Sequence, residues 1–152
     1  MATCFDVADF FLANADMEET ITHMKLQKLC AYAQAFSLVL LKKRLFDDAL
    51  EAWTHGPVTR ALYKEYQPFG KSVLSTAALA GDSRVPFSDE ELFILETVSN
   101  YYGRYSAPTL RNMSHDDFPG NFGPAKQEIS DSDIVARFNE NKIIQNILSA
   151  YQ

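Results

Sequence analysis

Leu45-Phe46-Asp47-Asp48-Ala49-Leu50-Glu51-Ala52-Trp53-Thr54-His55-Gly56-Pro57-Val58 follows a long amphipathic segment that begins at Thr22. Within it Trp53, the only Trp in the chain, stands with a His, a Gly and a Pro in five consecutive positions. Packing alone is a poor explanation for that density. Read locally, Gly56 supplies a turn and Pro57 starts a helix, because its missing N–H costs nothing in a first helical turn; Ala61, Leu62 and Tyr66 follow at helical spacing.

Upstream of this run, Leu26, Leu29, Cys30, Ala33, Phe36, Leu40 and Leu41 form one apolar stripe, which predicts a central helix from about His23 to Lys43. Thr22 is its expected N-cap, without a capping-box partner because Lys25 stands where Glu or Gln would. A first helix is expected over Cys4 to Ala15, followed by a loop from Asp16 to Ile21. Downstream, the segment after Gly70 to Val85, with Gly81-Asp82-Ser83, reads as a loop with a short strand or turn. Ser88-Asp89-Glu90-Glu91 is a full capping box and opens a helix carrying Leu92, Leu95, Val98 and Tyr102. Ser106 caps a short helix from Ala107 to Met113, residues 118–124 are irregular, and Ser130 opens one last helix through Val135, Phe138, Ile144 and Leu148. The expected fold is mostly α: a compact, single-domain helical bundle over residues 1–152 with short irregular or β-like connections.

Composition narrows the function classes. At 152 residues the chain suits one core, and no apolar run, the longest being about Ala35 to Leu41, reaches the roughly 18 residues of a membrane span. Asp6 and Asp9 interrupt the N-terminal apolar residues, which argues against a signal peptide and for the cytoplasm. Cys4 and Cys30 both fall in apolar helical patterns and are expected as buried, reduced thiols. Net charge is −6, with ten acidic against five basic residues from 85 to 152, which argues against nucleic acid as a partner. The basic cluster Lys42-Lys43-Arg44 is explained by the end of the central helix, whose carbonyls and dipole favour cations.

Candidate chemistry is sparse. His23, His55 and His115 lie too far apart in sequence for a metal set, and there is no phosphate-cradling Gly-rich loop, nucleophile elbow or zinc signature. His55 has Glu51 four residues before it, but no Ser or Cys that would complete a triad; His115 beside Ser114, Asp116 and Asp117 reads as a helix-end and loop anchor. No catalytic, cofactor or metal residue is assigned. Trp53 reads as a core anchor whose indole N–H needs one partner, and the Tyr-rich segments leave room for an interface.

Taken together, Ile21-Thr22-His23-Met24-Lys25-Leu26-Gln27-Lys28-Leu29, Tyr32-Ala33-Gln34, Leu45-Phe46-Asp47-Asp48, Glu51-Ala52-Trp53-Thr54-His55-Gly56-Pro57-Val58 and Leu62-Tyr63-Lys64-Glu65-Tyr66 resemble the Panacea domain, from about residue 4 to residue 138. The family is similar to GepA-type phage-associated proteins and to the SocA-type antitoxin and proteolytic adaptor. The residues that carry the resemblance are Lys25, Gln27, Lys28, Tyr32, Gln34, Glu51, Trp53, His55, Gly56, Pro57, Tyr63 and His115. A later family signature is matched by Leu110, His115 and Pro119, while Ser114 replaces Thr and Gly120 stands where the family has Trp; Phe118 or Phe122 is the aromatic available for that space.

The resemblance implies an antitoxin-like, non-enzymatic domain that binds a cognate toxin protein and, in the SocA-type case, delivers it to an ATP-dependent protease. The motif residues are then a scaffold, and partner contacts fall on exposed polar and aromatic residues around the Trp53 turn and the Tyr-rich helix. The competing reading is a small enzyme with a His/Glu acid–base site, which requires a shared cleft for His55 or His115 with Glu51. Oligomeric state is not written in the sequence.

Overall fold

A computed structural model describes residues 1–15, 21–74 and 83–150. Its centre is α2, His23–Leu40, with sixteen of its residues buried. A helix buried on all sides is usually apolar. This one carries His23, Lys25, Gln27, Lys28, Gln34 and Ser37 into the interior. Around it pack α1 (Cys4–Ala13), α4 (Asp89–Tyr102), α5 (Ala107–Asp117) and α6 (Asp131–Phe138), with α3 (Arg60–Tyr66) and α7 (Lys142–Ala150) completing the described helices. Tyr32 stacks on Tyr102 with ring centroids 4.0 Å apart, and Phe36, Phe118 and Phe138 meet this pair edge-on. The molecule is mostly helical, as its periodicity predicts.

Local chemistry explains most boundaries. Thr22 caps α2 by accepting from the Lys25 amide at 3.3 Å, and Ser88 and Glu91 form the expected reciprocal box. Thr3 and Asp6 make a second such box at α1. Helix α2 ends at Leu40, and Lys42 takes a left-handed conformation, φ 58°, just beyond the cap residue Leu41. The lysines do not extend the helix. Helix α5 continues past Met113 to Asp117. The expected loop from Asp16 and the turn at Gly81-Asp82 lie outside the described residues.

Two expectations need correction. Pro57 does not open a helix: Gly56–Val58 is strand β2, antiparallel to β1 (Leu50–Trp53), with Ala52 opposite Pro57 and Trp53 opposite Gly56. Strand β3 (Gln127–Ile129) pairs on the other side of β1, giving the order β2-β1-β3. Pro57 thus sits on an edge strand, where a residue without N–H is tolerated. Thr54 and His55 form the turn, and Gly56 takes the positive φ of 115° that closes it. Helix α3 starts three residues later, at Arg60.

The last helix is two. Asn141 interrupts it: its backbone N–H donates to the Phe138 carbonyl at 3.0 Å in a tightened turn, and its Oδ1 accepts from the Ile143 and Ile144 amides at 3.0 and 3.1 Å, capping α7. Ile144 stays buried although an unbroken helix would turn it about 120° away from Phe138, so the break is what returns the apolar face to the core.

Candidate functional site

Most motif residues converge where α2 faces the β1–β2 hairpin and α5, while Lys25 and Gln34 reach the end of α4 and the segment after α2. Lys28 is fully buried and donates from Nζ to the Pro57 carbonyl at 3.1 Å. Burial first, and the nearby Arg111 guanidinium second, lower its pKa from 10.5 to about 7. One residue earlier, Gln27 holds Thr59 at both ends, accepting from its amide at 3.0 Å and donating to its carbonyl at 3.4 Å. Gln34 does the same for the segment that follows α2. Its Oε1 accepts from the Leu45 and Phe46 amides, at 2.7 and 3.2 Å, and its Nε2 donates to the Phe46 and Asp48 carbonyls, at 2.7 and 3.3 Å. Lys25 donates to the Gly103 carbonyl at the end of α4. These side chains supply the hydrogen bonds that an irregular buried backbone lacks.

Helix α5 closes the other side. Tyr32 donates to the Asp117 carboxylate at 2.6 Å, and burial raises both pKa values, although the hydrogen bond itself works to lower that of Asp117. His115 has Nδ1 2.7 Å from the Arg111 carbonyl and Nε2 3.1 Å from the Thr54 carbonyl, so it ties α5 to the hairpin turn. Arg111 in turn donates to His55 Nδ1 at 3.2 Å. A Cβ on Gly56 would stand 2.8 Å from Ser114 Oγ and 2.9 Å from Lys28 Cε, so this glycine is required by close approach as well as by φ.

Trp53 is 9% exposed and lies at the rim of this assembly. Tyr63 packs on it with centroids 4.6 Å apart, Lys126 Nζ sits 4.1 Å and Arg60 Cζ 5.4 Å from its ring centre, and its N–H donates to Glu51 at 2.9 Å. Glu51 also accepts from Nε and Nη2 of Arg60, at 3.1 and 2.7 Å. Desolvation pushes the Glu51 pKa up, but the bonds from Arg60 and Trp53 outweigh it, and the net direction is down. Glu51 and His55 are therefore engaged with different partners, Arg60 and Trp53 for one and Arg111 for the other.

His23 is 6% exposed, with both ring nitrogens unpaired and its ring 5.2 Å from Tyr63; burial, then Lys28, lowers its pKa. Cys4 and Cys30 are buried free thiols. Burial pushes the Cys4 thiol up to about 12 and that of Cys30 well above its usual value. Among the described residues there is no cluster of three metal-ligating side chains, and no helix is long and apolar enough to cross a membrane.

Of the segment that departs from the family signature, Phe118 is buried against Tyr32 and Phe138, whereas Phe122 packs on the His115 ring. Gly120 has φ 121°, and a Cβ there would lie 3.3 Å from that of Ala52. Arg111 is a contributor that the sequence reading missed, and Asp117, which it named only beside His115 as a helix-end anchor, is the acceptor for Tyr32. Their helical spacing around Ser114 and His115 was the available signal.

The family model described as antitoxin SocA-like, Panacea domain matches residues 26–119. The chain belongs to the Panacea family. No curated protein and no solved structure matches it. The matched residues run from α2 through α5, so they hold every motif residue except Lys25. Helices α1, α6 and α7 and strand β3 lie outside the matched span, which is shorter than the resemblance over 4–138 read from sequence.

Proposed function

We propose that this antitoxin-type chain is a non-enzymatic binding protein of the cytoplasm, that it neutralises a cognate toxin protein by direct contact, and that it hands the bound toxin to an ATP-dependent protease. The observation that carries this reading is where the motif's polar atoms go. Lys28, Gln27, Gln34, Tyr32 and His115 are spent on Pro57, Thr59, Phe46, Asp117 and Thr54 of the same chain. They build a scaffold and present no open set of reacting groups. Membership of an antitoxin-like family supports the toxin as the partner class. The separate engagement of His55 and Glu51 counts against a His/Glu acid–base pair, since such chemistry needs both in hydrogen-bond reach of one substrate.

Co-expression with the product of the adjacent open reading frame tests this. The expected result is a complex that survives purification and restores growth, with faster loss of the toxin when an ATP-dependent protease is present. Growth arrest that the chain does not relieve, with no complex recovered, refutes toxin binding; a toxin half-life independent of the chain refutes the adaptor role alone.

A further inference from the structure

An apolar groove of about 520 Å³ runs between the C-terminal end of α2, the start of α4 and the last turns of α7. Leu40, Leu41 and Ile94 form its floor with Ile147, while Phe93 and Leu148 stand in its walls, 40% and 43% exposed. Large apolar side chains left open in pairs mark binding surfaces more often than single exposed ones do. The rim is acidic: Asp89 and Glu90 line the groove, and no cation does. Long-range attraction has the same sign, because the chain carries −6 overall and its excess of acid lies from residue 85 onward.

The geometry points to this groove as the docking site for a basic amphipathic helix of the partner protein, with apolar residues at i, i+3 or i+4 and i+7 entering between Phe93 and Leu148 and Lys or Arg meeting Asp89 and Glu90. This rests on the toxin-binding reading and specifies its surface. It also differs from the expectation that contacts gather at the Trp53 turn, where Arg60 is already paired with Glu51 and Lys126 lies over the indole ring. Apolar anchors supply affinity in such a groove, and the carboxylates supply association rate and orientation.

Selection from a phage-displayed random peptide library against the full chain tests the site independently of any toxin. Sequences that repeat Leu, Ile or Phe at helical spacing with interleaved Lys or Arg are expected to be enriched. Leu148→Glu should reduce their binding about tenfold or more, and Asp89→Asn with Glu90→Gln should reduce it about threefold while flattening its salt dependence. Tyr101→Ser, at the opposite end of α4 beside Arg104 and Met113, should leave it unchanged. No enrichment, enrichment of acidic peptides, or equal capture by Leu148→Glu overturns the proposal. So does a dimer of the chain that Leu148→Glu dissolves, since the occupant is then a second copy. If wild type protects against its toxin and the groove variants protect equally well, the groove is wrong and toxin binding stands; if wild type fails to protect, the underlying reading falls.

Discussion

Replacing Lys28 with Met separates the cost of a buried charge from the value of the side chain's shape. Lys28 has no exposed surface and a pKa lowered to about 7, first by burial and then by Arg111. An unfolded lysine titrates near ~10.4. Below pH 7 both states are protonated and the desolvation penalty is present in full. From pH about 7 to about 10 the unfolded chain holds one proton more than the folded one, so this group's contribution to stability rises by about 1.4 kcal/mol per pH unit. Three units amount to roughly 4 kcal/mol. Met removes the titration and leaves the Pro57 carbonyl without its donor, a cost of about 1–3 kcal/mol. At pH 6 that loss is offset by relief of the buried ammonium, and Lys28→Met should lie within about 2 kcal/mol of wild type. By pH 9.5 the variant should have lost a further 3 kcal/mol or so relative to wild type. Urea unfolding followed by Trp53 fluorescence at several pH values measures the difference. Cys4 and Cys30 act with the opposite sign, because their raised folded pKa values remove stability as pH climbs above the unfolded thiol range. Both proteins carry those thiols, so the subtraction cancels them. A difference that stays flat from pH 6 to 9.5 refutes the desolvated amine.

Gln34→Ala should cost about 3–4 kcal/mol in the same assay, because four hydrogen bonds to residues 45–48 vanish and buried backbone groups are left unpaired. Gly56→Ala should cost more than about 2 kcal/mol, since both its φ of 115° and the contacts with Ser114 and Lys28 resist a Cβ; Ser114→Gly in the same chain should recover at most the share due to Ser114, leaving the Lys28 contact and the φ strain. Gly120→Trp, which restores the family's residue, should lower the thermal midpoint, as φ 121° and the 3.3 Å approach to Ala52 leave no room for it. A midpoint that rises would show that the loop can adopt the family's usual course. Arg60→Ala should shift Trp53 emission to the red, because the guanidinium covers one side of the indole and orients Glu51 on its N–H; unchanged emission would mean that Tyr63 and Lys126 suffice to shield it.

What the sequence made legible follows from how far each signal reaches. Helices α2 and α4 announce themselves through caps and stripes contained within about twenty residues, and Thr22 and Ser88 cap where they should. Pro57 was misread because a helix start and an edge strand make the same local demand, a residue that needs no N–H donor. The choice is made by Gln27 and Lys28, which bond to residues 29 to 32 positions away. Strand β3 is three residues with two exposed, too short to show alternation. The break at Asn141 does leave a mark, a slip of phase: Ile144 falls about 120° from Phe138 and about 180° from Val135, so no single straight helix turns all three to one face. At the site, the identities were readable and the roles were not. Lys25, Lys28, Gln34 and His115 are aimed at the backbone carbonyls of Gly103, Pro57, Phe46 and Thr54, and carbonyls leave no mark in a sequence.

That use of polar side chains bears on how one family could serve different partners. A buried lysine or glutamine satisfied by a single backbone register penalises every other register, because a shift of one residue would strand its polar atoms. The hairpin is thus held in one pose on α2 and α5 irrespective of what the surface carries. Surface substitutions away from those bonds usually cost within ±0.5 kcal/mol, so the exterior is free to change while the interior stays fixed. The groove at the far end of α2 fits this division. Two of its walls, α2 and α4, fall inside residues 26–119, and the third, α7, falls outside them. A wall fixed by the common scaffold and a wall supplied by a helix beyond it would let the groove change through α7 without disturbing the Lys28–Pro57 bond that holds the hairpin on α2.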